Sequence, residues 1–221
     1  MRFAAIRRAE NLLYFGRATE SGPMRRPGNP SAISRARLAA EAKTREGERC
    51  AKYRAFKAID DAYRKGDIGA LLLALGDPAD FPNCLHPPDL GLGEFPLEYA
   101  FYWSPLSFVE TLLDRGADPN YPDRGGFPSL IAALSTDRPD RLELLRLLLS
   151  RGAEVGQRGL NDWTPLHYAV ARDDLPAIEL LIAHGADINA RTRIDDLTTP
   201  LEEAERSNRR RAVDALKTRP K

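Results

Sequence analysis

Cysteine and histidine are scarce in this sequence of 221 residues, and their scarcity excludes several kinds of site. The two cysteines, Cys50 and Cys84, cannot form a disulfide framework and suit a reducing compartment, which we expect to be the cytoplasm. Cys84 lies two positions before His86, but no second Cys/His pair accompanies them. Because a structural zinc ion needs a complete tetrahedral set of ligands, we predict no metal site.

Long apolar runs are also missing. The apolar run at residues 71–75 is far shorter than the ~20 residues that a transmembrane helix requires. Near the start of the chain, Arg7 and Arg8 interrupt the apolar residues, so this segment does not have the core of a secretory signal. We therefore predict no transmembrane segment.

Motifs that carry catalysis are missing as well. Neither His167 nor His184 has a nucleophile or a paired carboxylate at a recognisable spacing. Gly91 and Gly93 precede neither a Lys-Ser/Thr pair nor a strand–helix unit, so they do not form a phosphate-binding loop. We predict that the chain is not an enzyme and that it binds no cofactor.

Charge is balanced overall, at +1, but it is unevenly distributed. Residues 1–54 contain thirteen Lys or Arg against five Glu, a local charge of +8, which leaves −7 on the remainder. Residues 1–30 contain several Gly and Pro and are predicted to be a flexible basic leader. Residues 1–15 also have an amphipathic pattern that suggests targeting, although Glu10 and Glu20 favour an unstructured leader.

The most informative feature present is a segment that recurs along the chain. Leu166 precedes Gly185 by 19 residues, and Leu97 precedes Gly116 by the same number. The equivalent leucines Leu97, Leu130 and Leu166 are separated by 33 and then 36 residues. A period near 33 is typical of proteins built from stacked helical units.

The residues of each unit suit two short helices. Thr164 can cap a helix that begins with Pro165, and Gly185 can adopt the left-handed conformation that ends the next helix. Each predicted helix is shorter than the ~12–15 residues at which isolated helices become marginally stable, so it must pack on its neighbours. One equivalent position is always alanine, as close packing requires: Ala62, Ala100, Ala133, Ala169 and Ala204.

The TPLH sequence at residues 164–167 and the GADIN sequence at residues 185–189 together resemble the signature of the ankyrin repeat family. The resemblance implies an all-α fold, an ankyrin-repeat α-solenoid with a long N-terminal capping helix. It also implies that His167 bonds to the backbone of the adjacent unit.

We predict that the repeat domain covers residues 53–218. Its units are predicted at approximately 53–89, 90–122, 123–158, 159–193 and 194–218. The last unit is rich in arginine, as expected of a repeat that ends the stack.

A helix at residues 31–52 is expected to lead into this domain. The sequence there is alanine-rich and contains acid-before-base pairs at helical spacing. Cys50, Tyr53, Phe56 and Ile59 recur at helical spacing, so we expect the C-terminal part of this helix to pack on the first repeat. The proline-rich residues 78–88 are expected to form an irregular insert beside the first repeat.

The resemblance implies a non-catalytic module that binds a protein partner through its concave surface, in an adaptor, inhibitor or immunity-type role. In the family, partner contacts cluster just before the TPLH position and near the end of the first helix. By register these positions are Glu94, Tyr102, Trp103, Arg124, Phe127, Ser135, Thr136, Leu160, Asn161, Trp163 and Arg172. Aromatic residues and arginine often dominate the energy of protein interfaces.

Two alternatives remain open. The aromatic residues could serve packing, with Tyr102 and Trp103 beneath the insert and Trp163 over a neighbouring turn. The basic residues 1–54 could bind nucleic acid or an anionic membrane, with the repeats as a localising scaffold.

Overall fold

A computed structural model describes residues 32–121, 125–194 and 197–218 of the chain. These residues form ten α-helices and no β-strand. The helices are α1 (Ala32–Lys65), α2 (Ile68–Leu75), α3 (Pro96–Trp103), α4 (Leu106–Asp114), α5 (Ser129–Ser135), α6 (Arg141–Ser150), α7 (Pro165–Ala171), α8 (Leu175–Ala183), α9 (Pro200–Arg206) and α10 (Arg210–Lys217).

Consecutive helices pair into five hairpins that stack in chain order. Within each hairpin the first helix packs on the second, as α3 does on α4 and α7 on α8. Between hairpins, the first helices α1, α3, α5, α7 and α9 contact one another in series. The all-α solenoid with a long N-terminal helix is therefore confirmed.

The beginnings of the helices follow from their first residues. The Thr164 side chain accepts a bond from the backbone N–H of His167, and Thr199 does the same for Glu202. Both arrangements are capping boxes with proline in the first turn, which satisfies backbone donors that a helix start leaves open. Helices α3 and α5 begin after Phe95 and Pro128, which offer no side-chain cap. Those two hairpins therefore depend more heavily on packing.

The recurring alanine lies at the centre of the stack. In all five hairpins this side chain is no more than 2% exposed: Ala62, Ala100, Ala133, Ala169 and Ala204. A side chain of one carbon lets consecutive first helices approach closely without leaving a cavity. The sequence prediction of a close contact at this position is confirmed.

His167 joins two hairpins. Its Nδ1 accepts a bond from the backbone N–H of Thr164 at 3.3 Å, so its Nε2 carries the proton and donates to the Thr198 carbonyl at 3.1 Å. Thr198 precedes the first helix of the next hairpin. The predicted backbone bond between units is confirmed.

The packing expected for α1 is only partly correct. Ile59 is 1% exposed and Phe56 is half-buried, but Tyr53 is 50% exposed and Cys50 is exposed, so the contact expected for these last two is wrong. The partner helix α2 has eight residues and is about 12 Å long at ~1.5 Å per residue. It covers only the last turns of α1.

The insert after α2 is anchored by two buried side chains. Cys84 is 4% exposed, and His86 is 3% exposed with its Nε2 at 2.7 Å from the Tyr63 hydroxyl. The His86 ring also meets the Tyr99 ring edge-on, with centroids 6.0 Å apart. Burial lowers the pKa of His86 to about 4. The insert thus covers the junction between the first two hairpins.

Enlarging the central alanine should destabilise the stack. Because Ala133 is fully buried between hairpins, Ala133→Leu should lower the free energy of unfolding by about 1–3 kcal/mol through overpacking. Ala55→Leu is the control, since Ala55 is exposed on α1. Urea denaturation followed by circular dichroism measures the free energy of unfolding of both variants. Equal stability would contradict close packing between consecutive first helices.

Acid should weaken the anchoring of the insert. The unfolded chain binds a proton at His86 below about pH 6.5, whereas the folded chain resists it down to about pH 4. Stability should therefore fall as the pH drops through this interval. His86→Gln should make the fall between pH 7 and pH 4.5 shallower in urea denaturation.

Candidate protein-binding surface

The predicted contact residues do not share one degree of exposure. Leu160, Asn161 and Arg172 are exposed, whereas Ser135 and Thr136 are buried. The half-buried members are Glu94, Tyr102, Trp103, Phe127 and Trp163. Arg124 lies outside the described residues. We call the surface formed by the first helices and by the loops that precede them the first-helix face.

Tyr102 is held by a hydroxyl of the next hairpin. Ser135 Oγ donates to the Ala132 carbonyl at 2.7 Å, so Tyr102 donates its own proton to Ser135 Oγ, also at 2.7 Å. Thr136 Oγ1 donates to the Ala133 carbonyl at 2.8 Å. The two buried hydroxyls therefore shape the surface from below, and Ser135 fixes the orientation of the Tyr102 ring.

Trp103 packs against the first hairpin. The Arg64 guanidinium lies 4.3 Å from the centroid of its ring, and the Tyr99 ring lies 6.3 Å away. A guanidinium at this distance from an indole face is attracted by the ring quadrupole. The Tyr99 hydroxyl in turn donates to the buried carboxylate of Asp60 at 2.8 Å. This ring is thus oriented by residues of two hairpins.

Trp163 is oriented by the histidine that joins the hairpins. Its ring stacks on His167, with centroids 6.4 Å apart and planes at 24°, and meets Tyr168 edge-on at 6.3 Å. Tyr168 is itself half-buried and was not among the predicted contact residues. Its place in the sequence TPLHYA, directly after the histidine, is the signal that would have identified it.

The residues inserted in the third unit, 136–139, link three hairpins. Arg138 Nη1 donates to the Phe101 carbonyl at 3.0 Å, and Asp137 accepts from Arg172 Nη2 at 3.1 Å. Phe101 belongs to α3, whereas Arg172 follows α7. Residues 136–139 therefore shape one end of the first-helix face, where the Asp137 carboxylate pairs with Arg172.

The loop before α7 presents an exposed leucine. Asn161 and Asp162 both have φ of 58°, and the Trp163 N–H donates to the Leu160 carbonyl at 3.2 Å, which is a tight turn of the primed type. The Leu160 side chain is 58% exposed at this turn. An open groove of about 580 Å³ runs beside it and is lined by Gly126, Gly159 and Ile194. Ile194, which is 52% exposed, was also missed by sequence reasoning.

Sequence comparisons assign this architecture to a family. A family model described as ankyrin repeats in three copies matches residues 129–220, and another described as ankyrin repeats in many copies matches residues 97–145. Together the two matches span more than half of the chain. The chain belongs to the ankyrin repeat family.

Relatives of this ankyrin repeat chain are much longer proteins. Alpha-latrocrustotoxin of Latrodectus tredecimguttatus is 33% identical over 97 residues, 43% of this chain and 7% of the toxin. Neurogenic locus notch homolog protein 4 of Homo sapiens is 40% identical over 106 residues, 47% of this chain and 5% of that protein. An ankyrin repeat protein of Rickettsia bellii is 35% identical over 81 residues, 35% of this chain and 23% of that protein. The chain therefore aligns with less than a quarter of any of these three.

The loops before α7 and before α9 are tied together by a charged group that lines the groove. Asp162 accepts from Arg158 Nη1 at 2.7 Å, from the Arg193 backbone N–H at 2.7 Å and from Arg193 Nη2 at 2.6 Å. The bond from the Arg193 side chain is the main reason that the pKa of Asp162 falls to about 2. Arg158 also donates to the Arg191 carbonyl at 3.1 Å. Consecutive loops thus keep a fixed relation at neutral pH.

The chemistry offered by this surface is that of recognition. Aromatic rings, an aliphatic side chain and guanidinium groups lie along three consecutive ankyrin repeats. Within the described ranges, no three His, Cys, Asp or Glu side chains are arranged to hold a metal ion. In the same part of the chain, no helix is long and apolar enough to cross a membrane.

A methyl group at Gly159 should disturb the loop that presents Leu160. A Cβ there would lie 2.5 Å from the Gly126 carbonyl oxygen and 2.8 Å from Ile131 Cδ1, so the bond from the Leu160 N–H to Gly126 must shift. Gly159→Ala should lower the free energy of unfolding by about 1–3 kcal/mol. Gly156→Ala is a matched control because its Cβ would meet nothing within 4 Å. Urea denaturation of both proteins distinguishes a local clash from a general effect of alanine.

Proposed function

We propose that the chain is a non-catalytic module that binds a protein partner through its first-helix face. Ankyrin repeats are generally protein–protein interaction modules. The observation that carries the proposal is that aromatic rings on the second and fourth repeats are half-buried and yet held in place. Tyr102 is fixed by Ser135, Trp103 lies beneath Arg64, and Trp163 stacks on His167.

Fixed rings favour binding because little freedom is lost when a partner arrives. Ordering a flexible side chain at an interface costs about 0.5–1.5 kcal/mol, and these three rings already have contacts that restrict them. Tyrosine and tryptophan also bury a large area with only two rotatable bonds. When a partner covers this surface, the free energy gained by burying the rings would therefore be reduced little by the cost of ordering them.

The residues around the rings have different parts in this proposal. Leu160 and Arg172 are exposed and can contact a partner directly, and Asn161 lies at the rim. Ser135 and Thr136 are buried and would not touch a partner. Ser135 fixes the Tyr102 ring, and the Thr136 hydroxyl bonds to the Ala133 carbonyl at the start of residues 136–139. Phe127 and Glu94 are half-buried at loops on the same face. Tyr168 packs beside Trp163, and Ile194 lines the groove beside Leu160, so both join this set.

An adaptor, an inhibitor and an immunity-type protein all fit this surface. The names of the relatives include a toxin and a notch homolog, but this chain corresponds to a small part of each. The partner is thus characterised by chemistry: a protein surface with apolar groups to cover the rings and Leu160. We retain the cytoplasm as the proposed compartment, because both cysteines are free thiols and Cys50 is exposed.

Exposed residues are the best test because their replacement does not disturb the fold. Leu160→Ser together with Arg172→Ala should raise the dissociation constant for the partner by more than about tenfold, since truncating an anchor residue of an interface costs about 1–2 kcal/mol or more. The matched control carries Leu73→Ser and Arg146→Ala. These residues are exposed on the second helices α2 and α6.

Affinity purification from the organism that encodes the chain, with quantitative mass spectrometry, identifies proteins lost with the first variant and retained with the control. Calorimetry with the purified partner then gives both dissociation constants. Trp103 and Trp163 are less suitable sites, because each packs within the fold. Partners that are lost equally with both double variants, or with neither, would falsify the assignment of the surface.

A further inference from the structure

Helix α1 continues far beyond the repeats on which it packs. It has 34 residues, of which residues 40–55 are all exposed, while Ile59, Ala62 and Tyr63 are buried against the first two hairpins. Short helices owe their stability to such packing. In residues 40–55 no side chain is buried, although Lys52 contacts Asp89. This part of α1 therefore presents side chains to whatever approaches this end of the stack.

Two columns of residues connect the buried and the exposed parts of α1. Arg45, Lys52 and Ile59 follow one another at intervals of seven, as do Arg49, Phe56 and Tyr63. Seven residues make close to two helical turns, so each column stays on one face of the helix. The face that is apolar and buried at Ile59 and Tyr63 is thus basic and exposed further along. We call Arg45, Arg49 and Lys52 the basic stripe.

The basic stripe begins at the edge of the first-helix face. Lys52 Nζ lies 2.9 Å from a carboxylate oxygen of Asp89, in the loop before α3. Loops before first helices belong to the first-helix face, and α1 is itself the first helix of its hairpin. Arg49 and Arg45 lie about one and two turns beyond Lys52. A partner on the first-helix face that extends past this loop therefore meets these guanidinium groups.

We propose that the basic stripe binds carboxylate side chains of the protein partner that occupies the first-helix face. This inference rests on the proposed function and specifies the chemistry of one part of the partner: an acidic segment that lies against α1. The stripe already holds one carboxylate, that of Asp89, which shows that its geometry suits this group. Arginine adds bidentate pairing with carboxylates at the two outer positions.

A short acidic segment fits the stripe better than a nucleic acid does. The stripe is about 10 Å long, from Arg45 to Lys52 at ~1.5 Å per residue. Glu41, Glu46 and Glu48 lie on the same exposed part of α1, and the chain after residue 54 has a net charge of −7. A continuous polyanion would be repelled by these acidic groups, whereas a few carboxylates on a folded partner can avoid them.

Exposed charges of this kind act mainly on the rate of association. Their field is screened over about 8 Å at physiological ionic strength, so the contribution should weaken as salt is added. The expected effect of the stripe is thus faster capture and a marked salt dependence. The rate at which the partner dissociates would then depend on the aromatic rings and Leu160.

The experiment compares the two faces of α1 in the full chain. The probe is a labelled peptide with a single run of about four glutamates between neutral residues, which matches the length of the stripe, and binding is followed by fluorescence anisotropy at about 50 mM and 300 mM salt. Arg45→Glu with Arg49→Glu reverses two charges of the stripe. The matched control, Lys43→Glu with Arg54→Glu, makes the same change of charge on the opposite face of the helix. Circular dichroism checks that both variants remain helical.

The stripe variant should weaken peptide binding by about tenfold or more, and the control by less than about threefold, with both effects reduced at the higher salt. Equal losses in the two variants overturn the inference, as does the absence of peptide binding at the lower salt. Tighter binding of a duplex DNA of similar charge, or of phosphatidylserine vesicles, also overturns it.

The outcome is separable from that of the proposed function. Leu160→Ser with Arg172→Ala should leave peptide binding unchanged, because neither residue lies on α1. If the Leu160→Ser, Arg172→Ala protein keeps its partners while peptide binding is lost in the stripe variant, the proposed function is wrong and the carboxylate binding by the stripe is supported. If the partners are lost but the stripe variant binds the peptide as well as the unchanged protein does, only the inference about the stripe is wrong.

Discussion

The contact between consecutive first helices is the constraint on which the rest of the molecule depends. Each helix after α1 has ten residues or fewer and would not persist alone in water. The alanine in each first helix lets the next hairpin approach closely enough to bury leucine and isoleucine side chains on both sides. Polar bonds such as that of His167 then fix the spacing. The proposed binding surface depends on this stacking, since its rings are oriented by residues of neighbouring hairpins.

Much of the fold could be predicted because its determinants are local and periodic. The interval between Leu97, Leu130 and Leu166, the Thr-Pro helix starts and the recurring alanine each carry their physical reason in the sequence. The length of α1 could also be predicted, but its packing could not. Cys50 precedes Ile59 by nine residues, about two and a half helical turns, so it lies on the face opposite the buried one. The sequence also does not say how far the covering helix α2 extends.

The candidate surface could be predicted less well, because register gives a position along the chain and not its exposure. Ser135 and Thr136 match contact positions of the family, but their hydroxyls bond to carbonyls one turn earlier and lie beneath the surface. Ile194 lies between Gly185 and Leu201, a segment of 16 residues where the equivalent one from Gly116 to Leu130 has 14, and so the repeat pattern did not identify it. The Asp162 cluster could not have been foreseen either, because it joins residues that lie 31 positions apart.

The bond from the Leu160 N–H to the Gly126 carbonyl, at 2.8 Å, has a consequence for how this surface can change in evolution. Repeat proteins diversify by duplicating and exchanging whole units, and a unit is useful to that process only if it brings its own recognition residues. Here the loop of one unit is shaped by the backbone of the unit before it. A transplanted fourth unit would therefore carry the Leu160 side chain but lose the bond that shapes its loop, so that this loop keeps its arrangement only when the third unit accompanies it.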